Sequence, residues 1–228
     1  MDPVVQISID VTTLEEAMDL ARGAVRAGVD WLEVGTPLIL AEGLRGVRSF
    51  RAEFPDVPIV ADLKTMDGAG LEAEMMFKAG ATMTVVMGQA HDASIVEQVK
   101  MAKRYGGEVM CDVMLCPDKP GRARRAQELG VDYVIVHTGF DERNMVPGLS
   151  PLDDLPAVLA AVEIPVQAVG GLSVDQAVQT LEMGAQIVVF GAPLVISATE
   201  FKAAGPDFEP LLRDIVERVK SFRTPDAG

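Results

Sequence analysis

The chain is 228 residues long, 49% hydrophobic and 24% charged, the balance of a globular protein able to bury a full core in one or two domains. Twenty Lys and Arg against 34 Asp and Glu give a formal charge of -14, which argues against nucleic-acid and anionic-membrane partners but not against a small anion held by local donors. Cys111 and Cys116 form neither a disulfide framework nor a zinc-type set, no signal peptide or bilayer-length apolar run is visible, and the expected compartment is a reducing cytoplasm.

The first apolar run is VVQISID (4–10), followed by the amphipathic TLEEAMDLARGAVRAG (13–28). There Leu14, Ala17, Met18, Ala21 and Val25 fall on one stripe, and Thr13 with Glu16 has capping-box spacing. AGVDWLEVGTP (27–37) comes next, then PIVADLK (58–64), AGATMTVVMGQ (79–89), EVMCDVML (108–115), LGVDYVIVHTG (129–139), PVQAVGG (165–171) and MGAQIVVFGAP (183–193). Four of these segments, beginning near Gly28, Gly80, Gly130 and Gly184, read alike: a helix-closing glycine, a short linker and a buried apolar strand. SVDQAVQTLEMG (173–184) should be a helix capped by Ser173 with Val174, Ala177, Val178 and Leu181 inward. A last helix should run from Phe208 through LLRDIVERVKSF, leaving TPDAG frayed. Eight strands alternating with eight helical patterns, undivided by any linker, predict one α/β domain over 1–228, a single (β/α)8 TIM barrel rather than an open doubly wound sheet.

Catalytic groups of such barrels sit at the C-terminal ends of the strands. Those ends carry Asp10, Glu33, Asp62 with Lys64, Asp112, His137, Gly170-Gly171 and Gly191, with Asp67 on the loop after the third strand. Any one acid there is as well read as a turn or cap residue; five acids, one Lys and one His on one rim point to chemistry. Within ADLKTMDGAG (61–70), strand alternation puts Asp62 and Lys64 on the same side, and Asp67 follows close enough to reach back. Carboxylates beside an ammonium keep both ionised, which suits stabilising an enediolate and moving protons.

This pattern, D-x-K-x-x-D after the third strand preceded by EVGTPLI after the second, resembles the orotidine monophosphate decarboxylase suprafamily. Within it the likeness is to the group of 3-hexulose-6-phosphate synthases and 3-keto-gulonate-6-phosphate decarboxylases, and it spans Val4 to about Ala204. The resemblance implies that Glu33 and Asp62 bind Mg²⁺ (or Mn²⁺), that Lys64 stabilises an enediolate, and that Asp67 acts in the neighbouring subunit's site. It implies further that Asp10 and Asp112 contact sugar hydroxyls and that His137 shuttles a proton. Gly170, Gly171, Gly191 and Ala192 would lie where a phosphate is held.

The implied activity is a Mg²⁺-dependent aldolase that joins formaldehyde to ribulose 5-phosphate reversibly, in a homodimer with shared active sites. The decarboxylase and a non-catalytic sugar-phosphate-binding barrel are the alternatives. Phe140 in HTGFDER and Asp112 on the fifth strand lean toward the synthase. Leu40, where relatives often have Lys, and Ala192-Pro193, where many have Arg, are departures, and the second removes a phosphate contact. His91 reads as a surface or supporting histidine rather than a ligand, and Cys111 and Trp31 read as packing residues. Met75, Met76 and Met83 read as core, and RARR (122–125) as a solvated helix face.

Overall fold

A computed structural model describes residues 2–192 and 207–222. Eight parallel strands close into a barrel in chain order: β1 Val4–Ile9, β2 Trp31–Val34, β3 Ile59–Thr65, β4 Met83–Met87, β5 Glu108–Asp112, β6 Tyr133–His137, β7 Val166–Val169 and β8 Ile187–Ala192. β8 returns to β1 with Val4 opposite Ile187 and Ile9 opposite Ala192. The expected TIM barrel is the observed fold. Each strand is buried on both faces, so the apolar runs are nearly continuous and only parity separates interior from exterior. Val60, Met83, Val85, Met110 and Ile135 fill the barrel, while their neighbours, Cys111 among them, join the larger layer between sheet and helices. Trp31 and Tyr133 close the interior edge to face at 5.4 Å, confirming Trp31 as a packing residue.

The helices are α1 Leu14–Ala27, α2 Thr36–Glu42, α3 Leu44–Glu53, α4 Ala69–Ala79, α5 Asp92–Tyr105, α6 Lys119–Leu129, α7 Phe140–Met145, α8 Leu155–Leu159, α9 Val174–Met183 and α10 Phe208–Lys220. Among the described residues there are thus more helices than the eight expected. Gly43, with φ 57, divides α2 from α3. Between β6 and β7 the run VPGLSPLDDLP breaks one helix into α7, a 3₁₀ turn at Pro151–Asp153 and α8, because proline cannot continue a helix it interrupts. Thr13 caps α1 by accepting from the Glu16 N–H, but Glu16 returns no bond. The reciprocal box forms instead at Ser173 and Gln176.

Two packing expectations need correction. Met76 and Met83 are buried as expected, but Met75 is an exposed side chain of α4. Arg122 is not a solvated residue: its guanidinium donates to the Gly88 and Ala90 carbonyls and pairs with Asp92, binding α6 to the loop after β4. The TPDAG tail and Pro193 lie outside the described residues.

All four repeat glycines are left-handed: φ is 92 at Gly28, 108 at Gly80, 97 at Gly130 and 113 at Gly184. At Gly184 an added Cβ would meet only Leu159, at 3.8 Å, so a substitution there costs conformation and not space. Gly184→Ala should therefore lose about 1–2 kcal/mol and lower Tm by roughly 2–8 °C. A thermal melt superimposable on the wild type would refute this account of the repeat.

Candidate active site

The C-terminal mouth of the barrel opens into a cavity of about 600 Å³ lined by Asp10, Glu33, Asp62, Lys64, Asp112 and His137, with Gly170, Gly171 and Gly191 on its wall. Parity explains the convergence. Asp62 follows the interior Val60, Asp112 follows Met110, and His137 follows Ile135, each two residues further along its strand. Asp10 sits just past β1, its N–H donating to the Ala192 carbonyl at 3.0 Å. A Cβ at Gly35 would overlap the Asp10 carboxylate, and one at Gly191 would touch it. The glycine of EVGTP therefore leaves that acid its room.

Lys64 is the centre of the charge arrangement. Its φ is 49, a left-handed conformation rare outside glycine, and the β3–β4 register shifts between Ala61 and Thr65. This bulge costs of order 1–3 kcal/mol and re-aims the side chain. The ammonium pairs with Asp62 Oδ2, and Thr36 Oγ1 reaches both, 3.1 Å from Asp62 Oδ2 and 3.4 Å from Lys64 Nζ. Burial works against the ammonium, but Asp62 and Glu33 outweigh it and hold Lys64 protonated well above the ordinary lysine range. Burial also raises Asp10, aided by Asp62.

Glu33 is buried and accepts from Ser8 Oγ at 2.7 Å and from Gln6 Nε2, while Gln6 Oε1 accepts from Gln167 Nε2 at 2.8 Å. Desolvation, with the charges of Asp62 and Asp10 nearby, pushes its carboxyl up to about 8.

Asp112 behaves differently. Burial alone would raise its pKa, but His137, the Met114 N–H and Lys64 together bring it below the carboxylate norm. Oδ1 accepts from Met114 N at 2.8 Å and Oδ2 lies 2.8 Å from His137 Nδ1. Both oxygens are engaged by the protein, and the carboxylate orients His137, leaving Nε2 for other work; Asp112 also lines the cavity, where its remaining lone pairs face the space a sugar hydroxyl would take. Cys111 faces outward, and its thiol is pushed up to about 12 by burial beside Asp112.

Two expected residues do not join the cavity. Asp67 is exposed on the loop before α4 and makes no bond to any described residue. Ala192 is buried in β8, behind the wall. His91 caps α5, accepting from the Ala93 N–H at 3.1 Å, and is exposed as expected. The cavity also includes residues that the motif reading passed over. Gln6, Ser8 and Gln167 are polar where a barrel interior is usually apolar, and for Gln6 and Ser8 the parity with Asp10 along β1 was the available signal. Thr36 and Arg143 stood inside quoted motifs with no role assigned.

Among the described residues no three acidic, histidine or cysteine side chains converge as a ready-made metal cage. The donor set still fits a hard cation that keeps several waters. Asp62 Oδ1 is buried with no hydrogen-bond partner, and Glu33 lines the same cavity, its carboxyl pushed up by burial and by the neighbouring acids, a shift that a cation there would oppose. No helix among the described residues is long and apolar enough to cross a membrane.

Residues 3–205 match the orotidine 5'-phosphate decarboxylase / HUMPS family. The chain is 38% identical over 202 residues to the 3-hexulose-6-phosphate synthase of Mycobacterium gastri, covering 87% of this chain and 95% of that protein. The crystal structure of 3-hexulose-6-phosphate synthase from Salmonella typhimurium superposes with a TM-score of 0.86 at 29% identity, over 97% of this chain and 99% of that one. That of 3-keto-L-gulonate-6-phosphate decarboxylase from Vibrio cholerae superposes with a TM-score of 0.81 at 26% identity, over 98% and 100%.

Because folding favours the protonated form of Glu33, its contribution to stability is complete below pH 4.5 and drains away as pH rises toward 8. In chelator-treated protein, Glu33→Gln should remove that loss. Its Tm should exceed the wild type's at pH 8 by at least about 2–4 °C, the shift that 1 kcal/mol makes at this length. The two should approach each other at pH 5, and parallel Tm–pH curves would contradict the account of Glu33.

Proposed function

The chain belongs to the orotidine 5'-phosphate decarboxylase / HUMPS family and is a lyase, and on that premise we propose that it condenses formaldehyde with ribulose 5-phosphate through a 1,2-enediolate and runs the cleavage in reverse. The observation that carries this reading is one cavity holding an oriented imidazole, His137 on Asp112, together with an ammonium surrounded by carboxylates, Lys64. The first is suited to moving a proton and the second to meeting developing negative charge.

In the forward direction His137 Nε2 takes the C1 proton of the ketose. The electron pair delocalises onto the C2 oxygen, where Lys64 donates. C1 then forms a bond to the formaldehyde carbon, and the formaldehyde π pair moves to its oxygen. The proton held by His137 completes the new hydroxymethyl group, so nothing is gained or lost beyond the two reactants. Asp10, set between Gly35 and Gly191, is available to a sugar hydroxyl. Asp62 and Glu33 are the residues that would hold Mg²⁺ or Mn²⁺. When bound, the cation supplies Lewis acidity to adjacent substrate oxygens.

Asp67 supports a shared site in a homodimer. It lies outside the cavity of its own subunit, on a surface that also presents the exposed apolar Leu40, Met66, Leu71 and Met75 of α2, the loop after β3 and α4. Surface of that kind is commonly covered in an assembly.

Two measurements test this reading. Chelation should abolish ribulose-5-phosphate-dependent consumption of formaldehyde, and Mg²⁺ or Mn²⁺ should restore it. Full activity without metal, or release of CO₂ from 3-keto-gulonate 6-phosphate in place of formaldehyde consumption, overturns it. For the shared site, Lys64→Ala and Asp67→Asn, each inactive alone, are mixed under subunit exchange shown by a label. About half the dimers become mixed and one site in each escapes both lesions, so activity should return to on the order of a quarter of wild type. Proven exchange with no recovery assigns Asp67 to its own subunit.

A further inference from the structure

Among the described residues, Arg143 is the one cavity-lining cation that the proposed chemistry does not use. It stands on α7, and its guanidinium lies 5.8 Å from the centre of the Phe140 ring. Its Nε is buried with no hydrogen-bond partner, and no carboxylate pairs with it among the described residues. A half-buried guanidinium is ordinarily matched by an acid, since an unpaired charge loses its hydration for nothing. Other shielded cations are provided for: Lys64 by Asp62, Lys119 by Asp154, Arg122 by Asp92, and Arg51 by the Gly80, Phe54, Pro55 and Val57 carbonyls and the Thr82 hydroxyl. Burial depresses the Arg143 pKa with nothing opposing it, yet an arginine remains charged. The net charge of -14 makes the lack of a partner a property of this position, not of a chain short of acids.

The neighbouring backbone has been cleared for this group. A Cβ at Gly171 would overlap the Arg143 guanidinium, and a Cβ at Gly170 would collide with the backbone of Thr138. The two glycines, with φ of 66 and 137, let the loop after β7 close onto the segment after β6. The N–H groups of Gly171 and Leu172 donate to no described residue and line the same wall. A planar fork of N–H donors beside free backbone N–H groups matches the several oxygens of a tetrahedral dianion.

We propose that Arg143, seated against Gly171, holds the phosphate group of the substrate in this chain. The sugar to which that phosphate belongs rests on the function proposed above, whereas the anion site does not. The guanidinium comes from the β6–α7 segment, so Ala192 in β8 can remain a buried strand residue with no part in binding.

The test uses inorganic phosphate and the whole protein. Butanedione modification, read residue by residue by peptide mass spectrometry, should be slowed at Arg143 by phosphate and not by acetate, while the exposed Arg45 reacts unchanged. Arg143→Gln should weaken phosphate binding in calorimetry by roughly ten- to a hundredfold, the loss expected of a hydrogen bond to a charged group. It should raise KM for the sugar phosphate more than it lowers kcat. If the variant does not fold, the protection experiment on the wild type still decides. Equal modification with and without phosphate, equal protection by acetate, or phosphate affinity unchanged within twofold overturns the assignment. Phosphate protection of Arg143 in a protein that consumes no formaldehyde would refute the aldolase and leave this site standing.

Discussion

The site depends on the ion pair between Lys64 and Asp62. Four carboxylates, Asp10, Glu33, Asp62 and Asp112, face one cavity at the mouth of the barrel. Without a cation in their midst they could not all be ionised, and burial already drives Glu33 and Asp10 toward their neutral forms. One ammonium divides them. Asp62 is committed to Lys64, Asp112 is held ionised by His137, and Glu33 and Asp10 are left short of positive charge. The backbone distortion at Lys64 follows from this demand: a regular strand end has no need of a left-handed lysine, and the bulge is what aims the ammonium at its neighbour.

Beneath the carboxylates lies a polar layer that the rest of the barrel interior lacks. Gln167, Gln6, Ser8 and Glu33 form a chain of hydrogen bonds across β7, β1 and β2. These bonds cross the β8–β1 closure and tie the floor of the site to the seam of the barrel. The acid nearest the floor is therefore positioned by partners that cannot swing away without opening the closure. The other wall is built by backbone contact instead, where Gly170 and Gly171 bring the loop after β7 onto Thr138 and Arg143.

Much of this was legible in the chain because a parallel barrel repeats its grammar. Glycine followed by a short linker and a β-branched run marks a helix end and a buried strand at Gly28, Gly80, Gly130 and Gly184, and the left-handed angles there are the physical content of the mark. The rim acids were visible because a charged residue ending an apolar run is conspicuous. What was not legible depends on distance across the barrel. That Asp112 serves His137 requires β5 and β6 in register, Asp112 opposite Ile135. Arg143 stood in HTGFDER as an ordinary loop residue, and only its buried Nε, unpaired with any carboxylate among the described residues, distinguishes it. Arg122, read as solvated from a run of basic residues, is buried by the loop after β4, which periodicity along α6 does not reveal.

The protonation of Lys64 has a consequence for chemical compatibility. Formaldehyde is an indiscriminate electrophile toward neutral amines and thiolates, and an enzyme that takes it as a co-substrate must survive it. The carboxylates that raise the Lys64 pKa remove the lone pair with which that amine would form an imine or a hydroxymethyl adduct. Cys111, the thiol adjoining the site, points away from it and is kept neutral by burial. On the proposed reaction, the arrangement that would stabilise anionic charge on the substrate would also keep Lys64 and Cys111 from adding to the aldehyde.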